Sequence, residues 1–428
     1  MVAALFVTLA VCLVMEVPIA ISLGISALAA SACIGIFPQA SSMLGQAVVT
    51  TSDSFSLMAM PFFMLVGSLM EESGIADRIV KVAEAIVGPT AGGLANAAIV
   101  AAIFFAGISG SGPAEVAALG SILIPAMSKR GYKKEYAASV VASASTIGPV
   151  IPPSIPMIVY GVTTGVSVSA MFMAGIIPGA LMGLVLIAVN AVISRKRNYH
   201  GLPRGGGFIW VMKEIWKGLL ALIMPFIVLG GIYSGVVTPT ESAIIAVFYS
   251  LIVGKFVYKT LTLKKIYKAL LDAAKLSAPV MFLLGGATLF GRVLTIAHIP
   301  TMLANWMLSI SSNKTVIMLM IMIFFLISGM FIDTTSNIVL FAPLFCPIVS
   351  ELGYSLVFFG VLMVINLCIG FLTPPLGMNL FVAQGLCKRP LMSIVKENMP
   401  FLIALIILLF VFMLFPDIIT FLPDALGV

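Results

Sequence analysis

The chain has 428 residues, 61% hydrophobic and 9% charged, with a formal net charge of +7. A water-soluble domain of this size does not bury so large an apolar fraction, so the composition excludes a soluble globule and makes lipid the solvent. The Lys and Arg residues gather at the ends of apolar runs, which suits membrane orientation and not nucleic-acid binding, while the scattered Cys12, Cys33, Cys346, Cys368 and Cys387 and the two histidines, His200 and His298, lack metal-site or disulfide spacing.

The first segment, 1–57, opens on an apolar run with no basic stretch before it, and the corner Met15-Glu16-Val17-Pro18 leads into another. This predicts a helical pair and not a cleaved signal peptide. Segment 58–91 combines an apolar helix with an amphipathic stretch, 75–88, in which Ile75, Ile79, Val82 and Ile86 oppose Asp77, Arg78, Lys81 and Glu84. That periodicity predicts an arm lying in the membrane interface. Segment 92–170 contains an apolar run, Ala95 to Ala106, stopped by Gly107-Ile108-Ser109-Gly110-Ser111-Gly112-Pro113 and resumed from Val116 to Met127, then a crossing at 135–160. Segment 171–218 returns at 171–194 and carries the linker Arg204-Gly205-Gly206-Gly207 and an amphipathic stretch at 208–217. Segment 219–275 supplies crossings at 219–236 and 240–254 and an amphipathic arm at 262–275; segment 276–312 adds a helix and a further arm at 300–310. In segment 313–390, Val316 to Ile327 is stopped by a polar stretch from Ser328 to Asn337 and resumes from Ile338 to Val349; segment 391–428 is the last crossing.

The chain repeats itself. A shift of 222 residues lays 107–153 on 329–375 without a gap, so that Gly107, Pro125, Ser128, Gly131, Tyr132, Ile147, Gly148, Pro152 and Pro153 meet identical residues, and IGxxxPP occurs at Ile147 to Pro153 and again at Ile369 to Pro375. With gaps, 58–72 resembles 277–292 and 1–36 resembles 219–254. Repeats of this kind organise many secondary transporters. The basic loop Lys129, Arg130, Lys133, Lys134 aligns with Glu351, Leu352, Ser355, Leu356, which carry no positive charge, so the two copies are expected to face opposite sides. Placing the basic loop in the cytoplasm also puts Arg78, Lys81, Arg195 to Arg197, Lys255 to Lys268, Lys388 and Arg389 there, and leaves both chain ends periplasmic. The count closes if 92–128 and 313–350 each enter and leave on one face. Their arms, of about 12 residues or roughly 18 Å, are too short to span a core of about 30 Å. The expected fold is therefore an all-α polytopic membrane protein, an inverted repeat with two re-entrant helical hairpins and two broken transmembrane helices.

Polar tips and broken helices at membrane depth are tolerated where they line a cavity. Pro152-Pro153 and Pro374-Pro375 free backbone carbonyls, which with nearby hydroxyls form oxygen cages for a hard monovalent cation, while the following half-helices offer their positive N-termini to an anion. The first sodium cage is expected at Ser109, Gly110, Ser111, Gly112, Ser145, Thr146, Gly148 and Pro149. The second is expected at Gly329, Asp333, Thr334, Thr335, Ser336, Asn337, Asn366, Gly370 and Thr373. A carboxylate lying between the tips would meet Ser111, Pro113, Ser154, Thr335, Ser336, Pro375 and Asn379. Glu115 and Asp333 are intramembrane acids at the tips, functional by default because burying them is costly, Glu115 reading equally as a carboxylate stabilising its own helix N-terminus; Arg292 reads as an interfacial arginine or as a contact to a substrate carboxylate or a partner.

Four stretches in order, GISGSGPAEVAA (107–118), GPVIPPSIP (148–156), VVTPTESA (236–243) and GFLTPPLGMN (370–379), resemble the large membrane subunit, the M or DctM-like subunit, of tripartite ATP-independent periplasmic (TRAP) transporters. The resemblance covers nearly the whole chain. It implies a sodium-driven elevator carrier with a scaffold and a mobile transport domain in the bacterial inner membrane, with Na+ as coupling ion and no other cofactor. It also implies a separate four-helix small membrane subunit (Q), a periplasmic substrate-binding protein (P), and a carboxylate substrate such as sialic acid or a C4-dicarboxylate. The resemblance leads one to expect an Asp where this sequence carries Glu115. A stand-alone sodium and dicarboxylate symporter of related hairpin architecture is the alternative; no catalytic dyad, no His or Cys cluster and no long coupling loop points to a membrane enzyme, a redox antiporter subunit or an ABC permease.

Overall fold

The computed structural model describes residues 1–201 and 207–427, which form twenty α-helices and one π-helical turn, with no strand among the described residues. In order these are α1 (Val2–Val14), α2 (Ile19–Ala32), α3 (Phe37–Ser52), α4 (Phe55–Glu72), α5 (Ile75–Val87), α6 (Gly93–Ser109), α7 (Gly112–Lys129), α8 (Lys134–Ala144), α9 (Ile155–Thr164) and α10 (Val168–Lys196). The second half supplies α11 (Gly207–Tyr233), α12 (Pro239–Ile252), α13 (Leu263–Ile296), α14 (Ile299–Ile310), α15 (Lys314–Ser328), α16 (Thr334–Glu351), α17 (Leu356–Gly370), α18 (Met378–Cys387), α19 (Leu391–Leu414) and α20 (Asp417–Leu426). Seven of the described helices are long and apolar enough to cross a membrane, and α14 and α15 form a further apolar pair bent by 119°.

The element order of the first half recurs in the second. The pair α1 and α2 is matched by α11 and α12, the hairpin α6 and α7 by α15 and α16, and the interrupted helix α8 and α9 by α17 and α18. The halves differ where the first breaks its helix at Asp53-Ser54, between α3 and α4, and the second runs 34 residues without interruption in α13. The stretch 262–275, amphipathic by sequence, is thus the first part of a continuous helix and not a separate surface arm. Nothing between Leu263 and Ile296 stops it: Pro279, the single proline inside, is accommodated. Likewise 208–217 is continuous with the crossing in α11; the linker at Arg204 to Gly206 and the Phe208 side chain lie outside the described residues. The stretches 75–88 and 300–310 are separate helices, α5 and α14. On α5 the apolar stripe packs inward, with Ile75, Ile79 and Val82 buried, although Ile86 is exposed.

Helix α4 packs on α12 and α13, and α13 on α2 and α3, giving one body; α7, α8 and α18 pack together, as do α15, α16 and α17, giving the tip and break region that α4 and α13 border through α6, α9 and α16. One end of the molecule gathers the basic loops. Arg197 pairs with Glu397 at 2.6 Å, Lys133 lies 3.9 Å from the same carboxylate, and Arg389 pairs with Glu135 at 3.2 Å. Segments 129–135, 195–197 and 388–397, separate in sequence, therefore share one face. Beneath them Tyr136 donates to Asn190 Oδ1 at 2.6 Å and Asn190 donates to Asn96 Oδ1 at 2.6 Å, a buried chain that ties α8 and α10 to the base of the first hairpin.

Candidate functional site

Both hairpins turn where their sequence has residues that end helices. Helix α6 runs to Ser109 and is closed by Gly110 in the left-handed region (φ 59°), and α7 restarts at Gly112 with Pro113 in its first turn. The helix thus continues through Gly107 and Ile108, past the predicted stop, because a buried glycine in an apolar run loses only about 1 kcal/mol of helix propensity. The arms are accordingly 17 and 18 residues long, about 26 Å for α6, and not about 12, so arm length alone does not mark them as re-entrant. In the second hairpin Gly329 ends α15 and Asp333 caps α16, its Oδ1 accepting from the Ser336 amide at 3.0 Å.

The interrupted helices meet these tips. Break one, between α8 and α9, abuts the first tip: a Cβ placed on Gly110 would lie 2.8 Å from the Pro153 carbonyl oxygen. Break two abuts the second: a Cβ on Gly370 would lie 2.6 Å from the Gly329 carbonyl carbon. Glycine is required at both positions by close approach of backbone to backbone.

Between the tips lies a cavity of about 310 Å³. Ser109 to Ala114 of the first tip, Asp333 to Thr335 of the second, Pro149, Ile155 and Pro156 of break one and Phe371 and Met378 of break two line it. Four helix N-termini therefore converge on one space: α7 through Gly112 to Ala114, α9 through Ile155 and Pro156, α16 through Thr334 and Thr335, and α18 through Met378. Each contributes roughly half a positive charge at its start. Helices α7 and α18 have no side-chain cap, although Pro113 in the first turn of α7 carries no N–H, whereas Ser154 caps α9 and Asp333 caps α16. The charged side chains along the wall, Glu71 and Asp333, are both acidic.

Of the substrate residues expected from sequence, Ser111, Pro113 and Thr335 line this cavity. Ser154 is buried, donates to the Pro149 carbonyl and accepts from Met157 N, so its hydroxyl is engaged in holding the break. Pro375 is exposed and Ser336 is buried, and neither is part of the cavity wall. Asn379 sits at the first tip: its Oδ1 lies 3.1 Å from where a Cβ on Gly112 would be, and its Nδ2 donates to Ala142 O at 3.1 Å.

The expected cage residues fall in two groups at each tip. Ser109, Gly110, Ser111, Gly112 and Pro149 face the cavity, with Ser145, Thr146 and Gly148 buried beside them; Thr146 donates to Ser143 O at 2.7 Å, while Ser145 Oγ has no hydrogen-bond partner. At the second tip Asp333, Thr334 and Thr335 face the cavity and Gly329 touches Gly370; Asn337 Nδ2 donates to Ile332 O at 2.8 Å, Asn366 Nδ2 to Met322 O at 2.7 Å, and Thr373 Oγ1 to Ile369 O at 3.1 Å. The amide oxygens of Asn337 and Asn366 are buried without partners. Glu115 is fully buried one turn into α7, and both its oxygens are unpartnered. Arg292 is exposed on α13, beside a separate crevice formed with Thr51 and Thr163.

Sequence reasoning missed the opposite wall. Met64, Gly67, Ser68 and Glu71 of α4 and Leu276 and Val280 of α13 close the cavity. The signal lay in the likeness of 58–72 to 277–292, which marks repeat-related helices flanking the tips.

An all-α bundle with paired hairpins, paired interrupted helices and a cavity where they meet defines a polytopic membrane protein of transporter architecture. The chain belongs to the DctM family: the family described as the DctM component of the tripartite ATP-independent periplasmic transporters matches residues 6–418. It is 43% identical over 94% of its length to the isethionate TRAP transporter permease protein DctMQ of Oleidesulfovibrio alaskensis, of which it covers 63%. It is 39% identical to the C4-dicarboxylate TRAP transporter large permease protein DctM of Pseudomonas aeruginosa, over 88% of both chains. The fold is similar to the crystal structure of the Alcanivorax borkumensis YdaH transporter (TM-score 0.66, 14% identity, covering 86% of this chain and 87% of that one).

Proposed function

We propose that this chain is the large membrane subunit of a binding-protein-dependent importer that takes a small organic anion across the bacterial inner membrane with sodium. The convergence of four helix N-termini on one cavity of about 310 Å³ carries this reading, since such termini bind carboxylate or sulfonate oxygens without a basic side chain. The charged wall residues Glu71 and Asp333 are acidic, so an entering anion brings further negative charge, and cations bound at the tips offset it. Oxygen-rich breaks suit sodium in that role. The relatives named above handle a sulfonate and C4-dicarboxylates, which supports an anionic substrate of that size. Transport is read as an elevator movement of the two hairpins and interrupted helices, an inverted pair, against the scaffold of α2, α3, α4, α12 and α13. The basic end faces the cytoplasm and both termini the periplasm. A small membrane subunit and a soluble periplasmic binding protein complete the machine.

Uptake of labelled succinate and isethionate into proteoliposomes, with sodium or choline outside and with candidate periplasmic proteins present or omitted, tests this. Uptake that needs both sodium and a binding protein is expected. Uptake indifferent to sodium would sink the coupling, and sodium-driven uptake without a soluble partner would favour a stand-alone symporter.

A further inference from the structure

The two tips are related in position and differ in charge. Under the 222-residue offset Glu115 falls on Asn337, and Gly148 on Gly370. Both Glu115 and Asn337 are fully buried near the start of the half-helix that follows their tip. Both leave oxygen acceptors unpartnered, two on Glu115 and one on Asn337.

Acceptors gather at the Glu115 end of the first tip, beside two groups that can donate, the Ser145 hydroxyl and the Asn379 amide nitrogen. Its Oε2 fills the space over Gly148 that a Cβ would need, and the Ser145 carbonyl oxygen lies 3.4 Å from that Cβ position and 3.1 Å from one on Gly112. Asn379 Oδ1 and Nδ2 lie 3.1 and 3.3 Å from the Gly112 position; the nitrogen is engaged with Ala142 O, and the oxygen is buried without a partner. The Ser145 hydroxyl is buried and unpartnered as well. None of the five ion pairs among the described residues involves Glu115. A buried carboxylate with no counter-charge is strongly disfavoured. A proton on it would serve one acceptor and leave the others unpaired, whereas a hard cation serves carboxylate, carbonyl and amide oxygens together. At the second tip the repeat-related group is a neutral amide whose nitrogen is already engaged with Ile332 O.

Resting on the sodium coupling proposed above, we infer that the two ion sites are unequal: the first tip holds the tighter one, with Glu115 as its charged ligand beside Ser145 and Asn379, and the second tip, neutral at Asn337, holds the weaker. The first ion is then bound through most of the cycle, and the sodium dependence of uptake at millimolar concentrations reports the second tip.

The test compares wild type, E115Q, E115D and N337D, measuring sodium-dependent thermal stabilisation of the purified full chain and sodium activation of uptake by the reconstituted complex, with choline chloride as control. E115Q is expected to raise the sodium concentration for half-maximal stabilisation about tenfold or more, equivalent to about 1.4 kcal/mol. E115D, which keeps the charge, is expected to lie between E115Q and wild type. N337D is expected to lower the sodium concentration for half-maximal uptake. A folded E115Q protein with the wild-type sodium midpoint would overturn the inference and mean that the carboxyl is carried protonated. Should E115Q not fold, an unchanged or raised uptake midpoint in N337D overturns it alone. A wild-type protein indifferent to sodium in both assays is a different failure, that of the coupling itself.

Discussion

Ser143 donates a 2.6 Å hydrogen bond to Asn398 Oδ1, and Asn398 Nδ2 in turn donates to Leu372 O at 3.3 Å. Ser143 belongs to α8 before break one, Leu372 to break two and Asn398 to α19, so one buried amide joins the two interruptions of the helical frame. Replacing Asn398 by Ala strands a buried hydroxyl and a carbonyl. N398A is expected to destabilise the purified protein by about 2 kcal/mol and S143A by about 1 kcal/mol. Thermal unfolding of the singles and the double will check this: the double mutant should cost less than the two losses added, and strict additivity would mean that the pair is not coupled.

Gly370 and Gly148 occupy equivalent places and should respond unequally to a methyl group. At Gly370 the added carbon meets Gly329 backbone atoms at 2.6 to 2.8 Å, which cannot turn aside. At Gly148 it meets Glu115 Oε2, the far end of a flexible side chain, and the Ser145 carbonyl oxygen only at the ordinary distance of 3.4 Å. G370A is expected to cost about 3 kcal/mol, at the upper end for overpacking, and to impair folding. G148A is expected to fold and to show weakened sodium stabilisation. Equal melting temperatures for the two variants would refute the contrast.

How far the sequence discloses this site depends on which contacts are local. Tips and breaks are legible because Gly110, Pro113, Pro152-Pro153 and Pro374-Pro375 act on their own helices through backbone sterics. Arm lengths are less so, since Gly107 looks like a stop and is carried inside α6. The uninterrupted α13 is hidden for a related reason: an amphipathic pattern over 262–275 reads as a surface helix whether or not it continues into lipid. Asn379 is the sharpest case. Its place on α18 matches the second half, yet packing of α18 against α7 and α8 carries its amide to the first tip, a relation that no local pattern encodes.

The arm α5 offers a pH-dependent prediction away from the proposed ion sites. Burial raises the Glu84 carboxyl above its ordinary value of 4.5, with Arg130 and Lys81 opposing the shift. The folded state thus binds this proton more tightly than the unfolded state does. The resulting stability is fully present below pH 4.5 and is lost as pH rises through the folded value. E84Q should flatten that part of the profile and raise the melting temperature slightly at pH 7 relative to wild type. Parallel wild-type and E84Q curves between pH 4 and pH 7 would count against the assignment.

Relative movement of scaffold and tips can be tested where α4 touches the first hairpin. A Cβ on Gly67 would lie 3.7 Å from Ser109 Cα, with Ser109 Cβ beyond 4 Å, so a small shift is needed to bring two engineered cysteines at these positions to disulfide spacing of about 3.5–4.5 Å between Cβ atoms. Gly67 is on the wall that faces the cavity and Ser109 ends α6, so the link would join the two bodies at the substrate space. In a background lacking the exposed Cys33, G67C/S109C is expected to cross-link on mild oxidation and to lose uptake by at least tenfold relative to S109C alone, with reductant restoring it to that level. Sodium stabilisation of the cross-linked protein should match that of S109C alone, the control required because Ser109 is itself one of the expected cage residues. Full uptake by a fully cross-linked protein would show that α4 and the first tip keep their spacing during transport, and the elevator reading would then fall.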